Sequence, residues 1–413
     1  MSKLALLGGA PVFDKPLSAP WPPVDEVTAK KLVELYYSRE WTAFHSTEKR
    51  FAEAFASHHD ARFGIFTVNG TVTLESALSI FSIGPGDEVI VPALTWCATA
   101  MAVHYVGATP VYVDIDPTTL CIDPDKFEAA ITARTRAVIP VHLYGSMADM
   151  ERVMDIARRH GLRVIEDCAH SHGGIWDGKH VGSIGHVGSF SFQHSKTMAC
   201  ADAGISITSD PDAADHLFRS KQIGYRDGEG SANVQSGPPS GLMCHNYRAT
   251  AFPALILHEQ LKTLDERLDT YGKAALYLEA RLKDRTHVRI QARGRKASRQ
   301  SYFGWVMMLD HPDYLGIPAA LFKSAIEAEG MRLTPTWRPV YKFVLYNMPP
   351  ESYRIPEPCT VTERVGPRVL WMLHAYLGLP MPEIERIGDV LEKVFLNIDS
   401  LRSRGDASAG VRA

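Results

Sequence analysis

Between residues 60 and 210, short apolar runs return at intervals that leave room for one helix each, and this alternation restricts the chain more than any other feature. The runs are Glu88–Val91, Pro110–Val113, Ala137–Val141, Arg163–Glu166, Val187–Phe192 and Ile205–Thr208. Strands that are apolar almost throughout must be covered on both faces, and repeated strand–helix units produce a mainly parallel sheet with helices on either side. The intervening segments fit. Gly84-Pro85-Gly86-Asp87 signals a turn before the first run, and Met150, Val153, Met154 and Ala157 repeat at helical spacing before the fourth.

The remainder of the chain divides around this region. A Gly/Ser/Pro-rich stretch, 227–241, is expected to be flexible. It is followed by helical periodicity at Leu255, Leu261, Leu264, Leu268, Tyr271, Ala275 and Leu278, read as a long helical connection. We expect an N-terminal arm over 1–25, a large domain over 26–265, a small α+β domain over 266–400 and a disordered tail over 401–413. With 44 Lys plus Arg against 47 Asp plus Glu, the net charge of −3 excludes a broad basic surface for nucleic acid. No apolar run reaches the roughly 18 residues needed to span a bilayer. The apolar start is too short for a signal peptide, so the expected compartment is the cytoplasm. The 6 cysteines form no CxxC pair, which points to reduced thiols and away from zinc or disulfides.

Four separated motifs carry candidate chemistry. Asn69-Gly70-Thr71 opens an apolar-periodic helix, where free N–H groups and the positive end of the helix dipole suit an anion; an ordinary N-cap would look the same. Glu166-Asp167-Cys168-Ala169-His170 follows a strand, at the carboxyl end where open α/β sheets bind ligands. Asp167 there could meet a cationic ring nitrogen or serve as a structural cap, and His170 could be a core histidine. In Ser189 to Lys196, small polar and aromatic residues alternate into a polar turn. Ser191 and Lys196 could therefore share a ligand, and a lysine beside apolar walls can lose basicity and attack a carbonyl. Cys244-His245-Asn246-Tyr247-Arg248 is a polar and aromatic cluster expected to open a helix.

Taken in order, these motifs, together with Gly84 to Trp96, Gly107 to Thr119 and Val141 to Met150, resemble the DegT/DnrJ/StrS-type aminotransferases. The resemblance is dense over about residues 20–265 and looser beyond. It implies the aspartate-aminotransferase fold (fold type I) and pyridoxal 5'-phosphate as cofactor. By that resemblance Lys196 is the Schiff-base lysine and proton shuttle, Asp167 holds the ring nitrogen, Trp96 stacks on the ring face, and His170 lies near the ring hydroxyl. Gly70, Thr71 and Ser191 bind the phosphate, joined by Asn246 from the second subunit of a homodimer with composite sites. The residues Lys3 to Val12 and Ser189 to Gln193 are similar to the branch that aminates keto-cyclitols such as scyllo-inosose, with glutamine as donor. Aminohydroxybenzoate synthases share them.

One departure stands out. Where the family usually has Gly-Glu-Gly-Gly, this chain has Ala201-Asp202-Ala203-Gly204, and the two added methyl groups disfavour any backbone with positive φ. This motivates two alternatives, a dehydratase or other eliminase using the same cofactor, and a non-catalytic partner homologue. A metal site at Asp167, His170 and His172 is not expected, because no further ligand stands at zinc-like spacing. Arg293, Arg295, Lys296 and Arg299 read as a solvated loop, while Trp337, Arg338 and Tyr341 are candidates for a donor carboxylate.

Overall fold

The computed structural model describes residues 2–42, 46–229 and 233–403. Its strands run in chain order as β1 (Phe63–Thr67), β2 (Glu88–Pro92), β3 (Thr109–Val113), β4 (Thr135–Val138), β5 (Arg163–Asp167), the short β6 (Ile175–Trp176) and β7 (Lys179–His180), then β8 (Val187–Ser191) and β9 (Gly204–Thr208). Seven of these form one sheet in the order β1-β9-β8-β5-β4-β2-β3. The pairs β2/β3, β2/β4, β4/β5 and β5/β8 are parallel, and only β9 is antiparallel to its neighbours β8 and β1. All six expected strands are present.

Side chains alternate across the sheet and feed two separate apolar cores. Ile90, Val164, Phe190 and Phe192 enter one, packed with Phe51 and Phe55 of the helix Ser46–His58. Val89, Val91, Ile165 and Val187 enter the other, with Leu74, Ala77 and Leu78 of the helix Gly70–Ile80. In β5 the same alternation sends Glu166 and Asp167 to opposite faces. Glu166 is fully buried and accepts from the Gly182, Ile184 and Gly185 amides at 2.9, 2.8 and 2.6 Å and from His142 Nε2 at 3.1 Å. It holds the loop that leads into β8, and Asp167 is left for the other side.

A second sheet comprises β10 (Arg289–Ile290), β12 (Gly304–Met308), β13 (Thr334–Pro335) and β14 (Val369–Leu373), in the order β10-β12-β14-β13. Between them in sequence, β11 (Ala297–Arg299) joins β6 and β7 in a three-stranded sheet. The helix Met381–Phe395 buries Ile384, Ile387, Leu391 and Phe395, one stripe at helical spacing, and Arg281 of the helix Leu264–Lys283 pairs with its Glu392 at 2.8 Å.

Three segments behave differently from the sequence reading. The helical connection is two helices, Ala251–Leu261 and Leu264–Lys283, and the cluster 244–248 is extended rather than helical. His245 and Tyr247 donate backbone N–H groups to Ser220 and Lys221 carbonyls at 2.6 and 3.1 Å, which holds that backbone out of a helix. The expected disordered tail does not include 401–403: residues 398–403 are helical, Leu401 is buried and Arg402 donates to the Asp313 carbonyl at 2.9 Å. Residues 404–413 lie outside the described residues. The first residues are pinned as well, since Glu329 accepts from the Ala5 and Val12 amides at 2.8 and 3.1 Å.

The stretch 340–363 leaves the second sheet and returns to the first. Val340 donates its N–H to the Ala93 carbonyl at 2.9 Å, Arg354 exchanges backbone bonds with Pro110 and Tyr112, and Asp114 accepts from the Val361 and Thr362 amides at 2.7 and 2.8 Å and from the Thr362 hydroxyl at 2.7 Å. This return carries Trp337 to the carboxyl end of β2. Removing these bonds, and the one the carboxylate accepts from the Ile115 amide at 3.0 Å, with Asp114→Ala is expected to cost about 2–3 kcal/mol. Denaturant unfolding and amide exchange check this: exchange should rise first over 360–365, and a variant with unchanged exchange there would show that Asp114 does not tether the segment.

Candidate active site

The carboxyl ends of β5 and β8 lie side by side, with Asp167 in register with Ser189, and the candidate residues gather there. Asn69 caps the helix Gly70–Ile80, its Oδ1 accepting from the Thr71 and Val72 amides at 3.0 Å each. Two of the first-turn amides are therefore already bonded, so the expectation of a fully free N–H set is only partly met. Ser191 reaches the same helix start. A Cβ built on Gly70 would lie 2.6 Å from the Ser191 Cβ, so residue 70 must be glycine for the helix and strand to meet this closely.

Asp167 is buried, and its Oδ2 accepts from the Thr99 hydroxyl at 2.8 Å while Oδ1 accepts from the Ala169 amide at 3.2 Å. Burial raises its pKa above the ordinary carboxylate range, opposed by the Thr99 and Ala169 bonds and by the charge of Lys196. Lys196 sits on the turn after β8, half-buried, with Nζ 4.8 Å from the centre of the Phe303 ring. Burial brings its pKa down to about 8, with Asp167 acting in the opposite direction. Loss of solvent thus weakens both charges, and each partly restores the other.

His170 is buried against Phe303, their rings 3.9 Å apart and 7° from parallel. Its Nδ1 accepts from the Tyr144 amide at 3.3 Å, and burial with the nearby Lys196 charge holds the imidazole neutral, far below its usual pKa. Tyr144 continues the stack to Trp337, 5.7 Å and 10° from parallel, and bonds the Thr336 hydroxyl. Trp96, 39% exposed, meets Trp337 and Phe343 at 5.5 and 5.6 Å.

The structure thus gathers Gly70, Thr71 and Ser191 at one corner, and Asp167, Lys196, His170 and Trp96 around one aromatic wall. Asn246 is different: it is exposed, on the extended segment that pairs with Gln222. Of the candidates for a donor carboxylate, Trp337 joins the wall and Arg338 is exposed, while Tyr341 turns away, donating to Glu363 at 3.0 Å. Arg293, Arg295, Lys296 and Arg299 are each paired with a carboxylate of this chain. The departure at 201–204 is accommodated by the loop. Ala201 adopts φ +77° despite its methyl group, so the turn is made and the strain is borne. Gly204 remains essential, because a Cβ there would fall 2.4 Å from the Asn69 carbonyl carbon.

Sequence reasoning missed Thr99, Phe303 and Tyr144. Tyr144 stands at φ +59°, a conformation that a bulky side chain tolerates only under tertiary constraint.

The architecture is that of the aspartate-aminotransferase class, and the enzyme is an aminotransferase. Residues 23–392 match the DegT/DnrJ/EryC1/StrS aminotransferase family, and the chain belongs to it. The chain is 34% identical to the L-glutamine:scyllo-inosose aminotransferase of Streptomyces griseus, over 96% of this chain and 98% of that one. Identity to the L-glutamine:2-deoxy-scyllo-inosose aminotransferase of Streptomyces kanamyceticus is also 34%, covering 95% and 97%. Among solved structures, 3-amino-5-hydroxybenzoic acid synthase superposes with a TM-score of 0.83 at 26% identity, over 92% of this chain and 99% of that one. An aminotransferase from Psychrobacter cryohalolentis gives 0.84 at 27%, over 93% and 100%. No helix among the described residues is long and apolar enough to cross a membrane.

Thr99→Val removes the only side-chain donor found on the Asp167 carboxylate among the described residues. The folded-state pKa, already raised, rises further. The unfolded value stays at about 3.9, so stability falls over a wider range as pH climbs above it. The expected penalty grows as pH rises above the unfolded value and the folded carboxylate ionises, reaching about 1.5–3 kcal/mol, and denaturant titrations from acid to neutral pH check it. A penalty constant with pH would show that Thr99 does not act through the ionised carboxylate.

Proposed function

We propose that this enzyme uses pyridoxal 5'-phosphate to move the amino group of L-glutamine to a keto-cyclitol of the inosose class. The observation that carries the acceptor and donor is near-full-length similarity to enzymes of that specificity. The residues fit the cofactor: a half-buried amine of lowered basicity, a buried carboxylate, and a helix start where a Cβ on residue 70 would fill the space beside Ser191.

When bound, the cofactor supplies a protonated ring that delocalises the charge left when a proton departs from the carbon bearing nitrogen. Asp167 would accept from that ring nitrogen and hold it protonated. Lys196 would hold the cofactor through its amine and, when that amine is free, would take up and return the proton at the reacting carbon. With a pKa of about 8, roughly a tenth of a free amine is neutral at pH 7, which suits a base. Thr71 and Ser191 offer hydroxyls to the phosphate, beside the positive helix end. Trp96 would stack on the bound ring, and the neutral His170 would serve its hydroxyl. Trp337, stacked on Tyr144, extends the wall toward the substrate, where an all-equatorial cyclitol presents apolar C–H faces.

The working unit in this reading is a homodimer. Val27, Val33, Tyr36 and Tyr37 of the helix Glu26–Ser38 are 56–78% exposed, an apolar face that a second copy would cover. Asn246, exposed on its own subunit, then completes the partner's phosphate site. Six free thiols suit a reducing compartment, the cytoplasm.

Mixing two inactive variants tests this. Lys196→Ala and Asn246→Asp should each lower turnover of glutamine with scyllo-inosose by about a thousandfold or more. Subunit exchange should return activity, because half of the hybrid sites carry neither lesion. No recovery in proven heterodimers would place Asn246 outside the partner's site, and a keto product without amine would replace transamination by elimination.

A further inference from the structure

The turn that carries Lys196 is gripped at two points by residues far away in sequence. Gln260, buried on the helix Ala251–Leu261, bonds one residue twice: its Oε1 accepts from the Ala199 amide at 3.0 Å and its Nε2 donates to the Ala199 carbonyl at 2.7 Å. His374, buried at the end of β14, places Nε2 3.1 Å from the Ser195 carbonyl. A carbonyl only accepts, so Nε2 carries the proton, and burial lowers this imidazole to about 3 and keeps it neutral. Lys196 is bracketed by these two points. Just past them, Ala201 stands at φ +77°, a conformation its methyl group opposes and glycine adopts freely.

We infer that Gln260 and His374 are positioning residues that hold the Lys196 turn closed against the backbone strain at Ala201, keeping the amine on the face of Phe303. Neither touches the reacting atoms. An amide is the fitting group at 260, because an N–H and a C=O of one residue must be met together, and only a side chain with both a donor and an acceptor does so. Without the grip, the strain favours opening, the amine reaches water and its basicity returns to that of an ordinary lysine. The role for catalysis rests on Lys196 being the cofactor-bonding lysine; the grip itself does not.

The test uses the full chain without added cofactor and two readouts: amide exchange over 193–204, and the pH dependence of Lys196 acylation followed by mass spectrometry. In Gln260→Leu, exchange over that turn should rise about tenfold or more while the central sheet stays protected. The midpoint for Lys196 should move from about 8 toward the free-lysine value near 10.4. Gln260→Glu, whose ionised carboxylate accepts but cannot donate, should show an intermediate effect, and it serves if the leucine variant does not fold. Adding Ala201→Gly should restore part of the protection by removing the strain. Unchanged exchange and midpoint in both 260 variants would overturn the inference. So would loosening spread over the whole sheet, or an Ala201→Gly change that makes the turn worse. If the cofactor bonded another lysine, these readouts would still stand, so the two readings fail separately.

Discussion

Everything in the site follows from one close crossing of backbones. The helix Gly70–Ile80, the end of β8 and the start of β9 meet at distances that leave no space for a Cβ at residue 70 or residue 204. Small hydroxyl residues, Ser189 and Ser191, face the helix from β8, while Phe190 and Phe192 point into the opposite core. The crossing fixes where β8 ends, and therefore where the turn with Lys196 begins. It also sets the helix start beside the strand end, so an anion at that corner lies within the lysine's neighbourhood by construction of the fold.

The second constraint is electrostatic. A buried carboxylate and a half-buried amine beside the Phe303 ring each lose hydration, and each is less ionised for it. Neutral His170 and the stacked rings of Phe303, Tyr144 and Trp337 add bulk without countercharge. Thr99 and the Ala169 amide favour the ionised carboxylate against its burial, which is the state needed opposite a cationic ring. On the other face of β5, Glu166 accepts from three amides of the loop before β8, so one strand both anchors the scaffold and arms the site.

Much of this was legible in the chain. Unbroken apolar runs with turn signals announced the parallel sheet, and Gly70, Asp167, Ser191 and Lys196 stand at strand or helix ends, where local signals are strong. What was not legible depends on distance in the fold. Trp337 reaches Trp96 only because 340–363 returns to the first sheet, and nothing in its local sequence encodes that path. Phe303 and Thr99 look like any aromatic and any hydroxyl until the strands are in place. Tyr144 and Ala201 occupy left-handed backbone that propensity reserves for glycine, and only tertiary contacts hold them there. Asn246 was singled out by resemblance, and it stands exposed on its own chain.

The central claim, that Lys196 bonds the cofactor, is most directly tested by borohydride reduction of the purified chain loaded with pyridoxal 5'-phosphate, followed by peptide mapping. The account predicts one reduced pyridoxyl adduct per chain, on the peptide containing Lys196, and its loss when glutamine is added before the reductant. An adduct on a different lysine, or labelling that glutamine leaves unchanged, would contradict it.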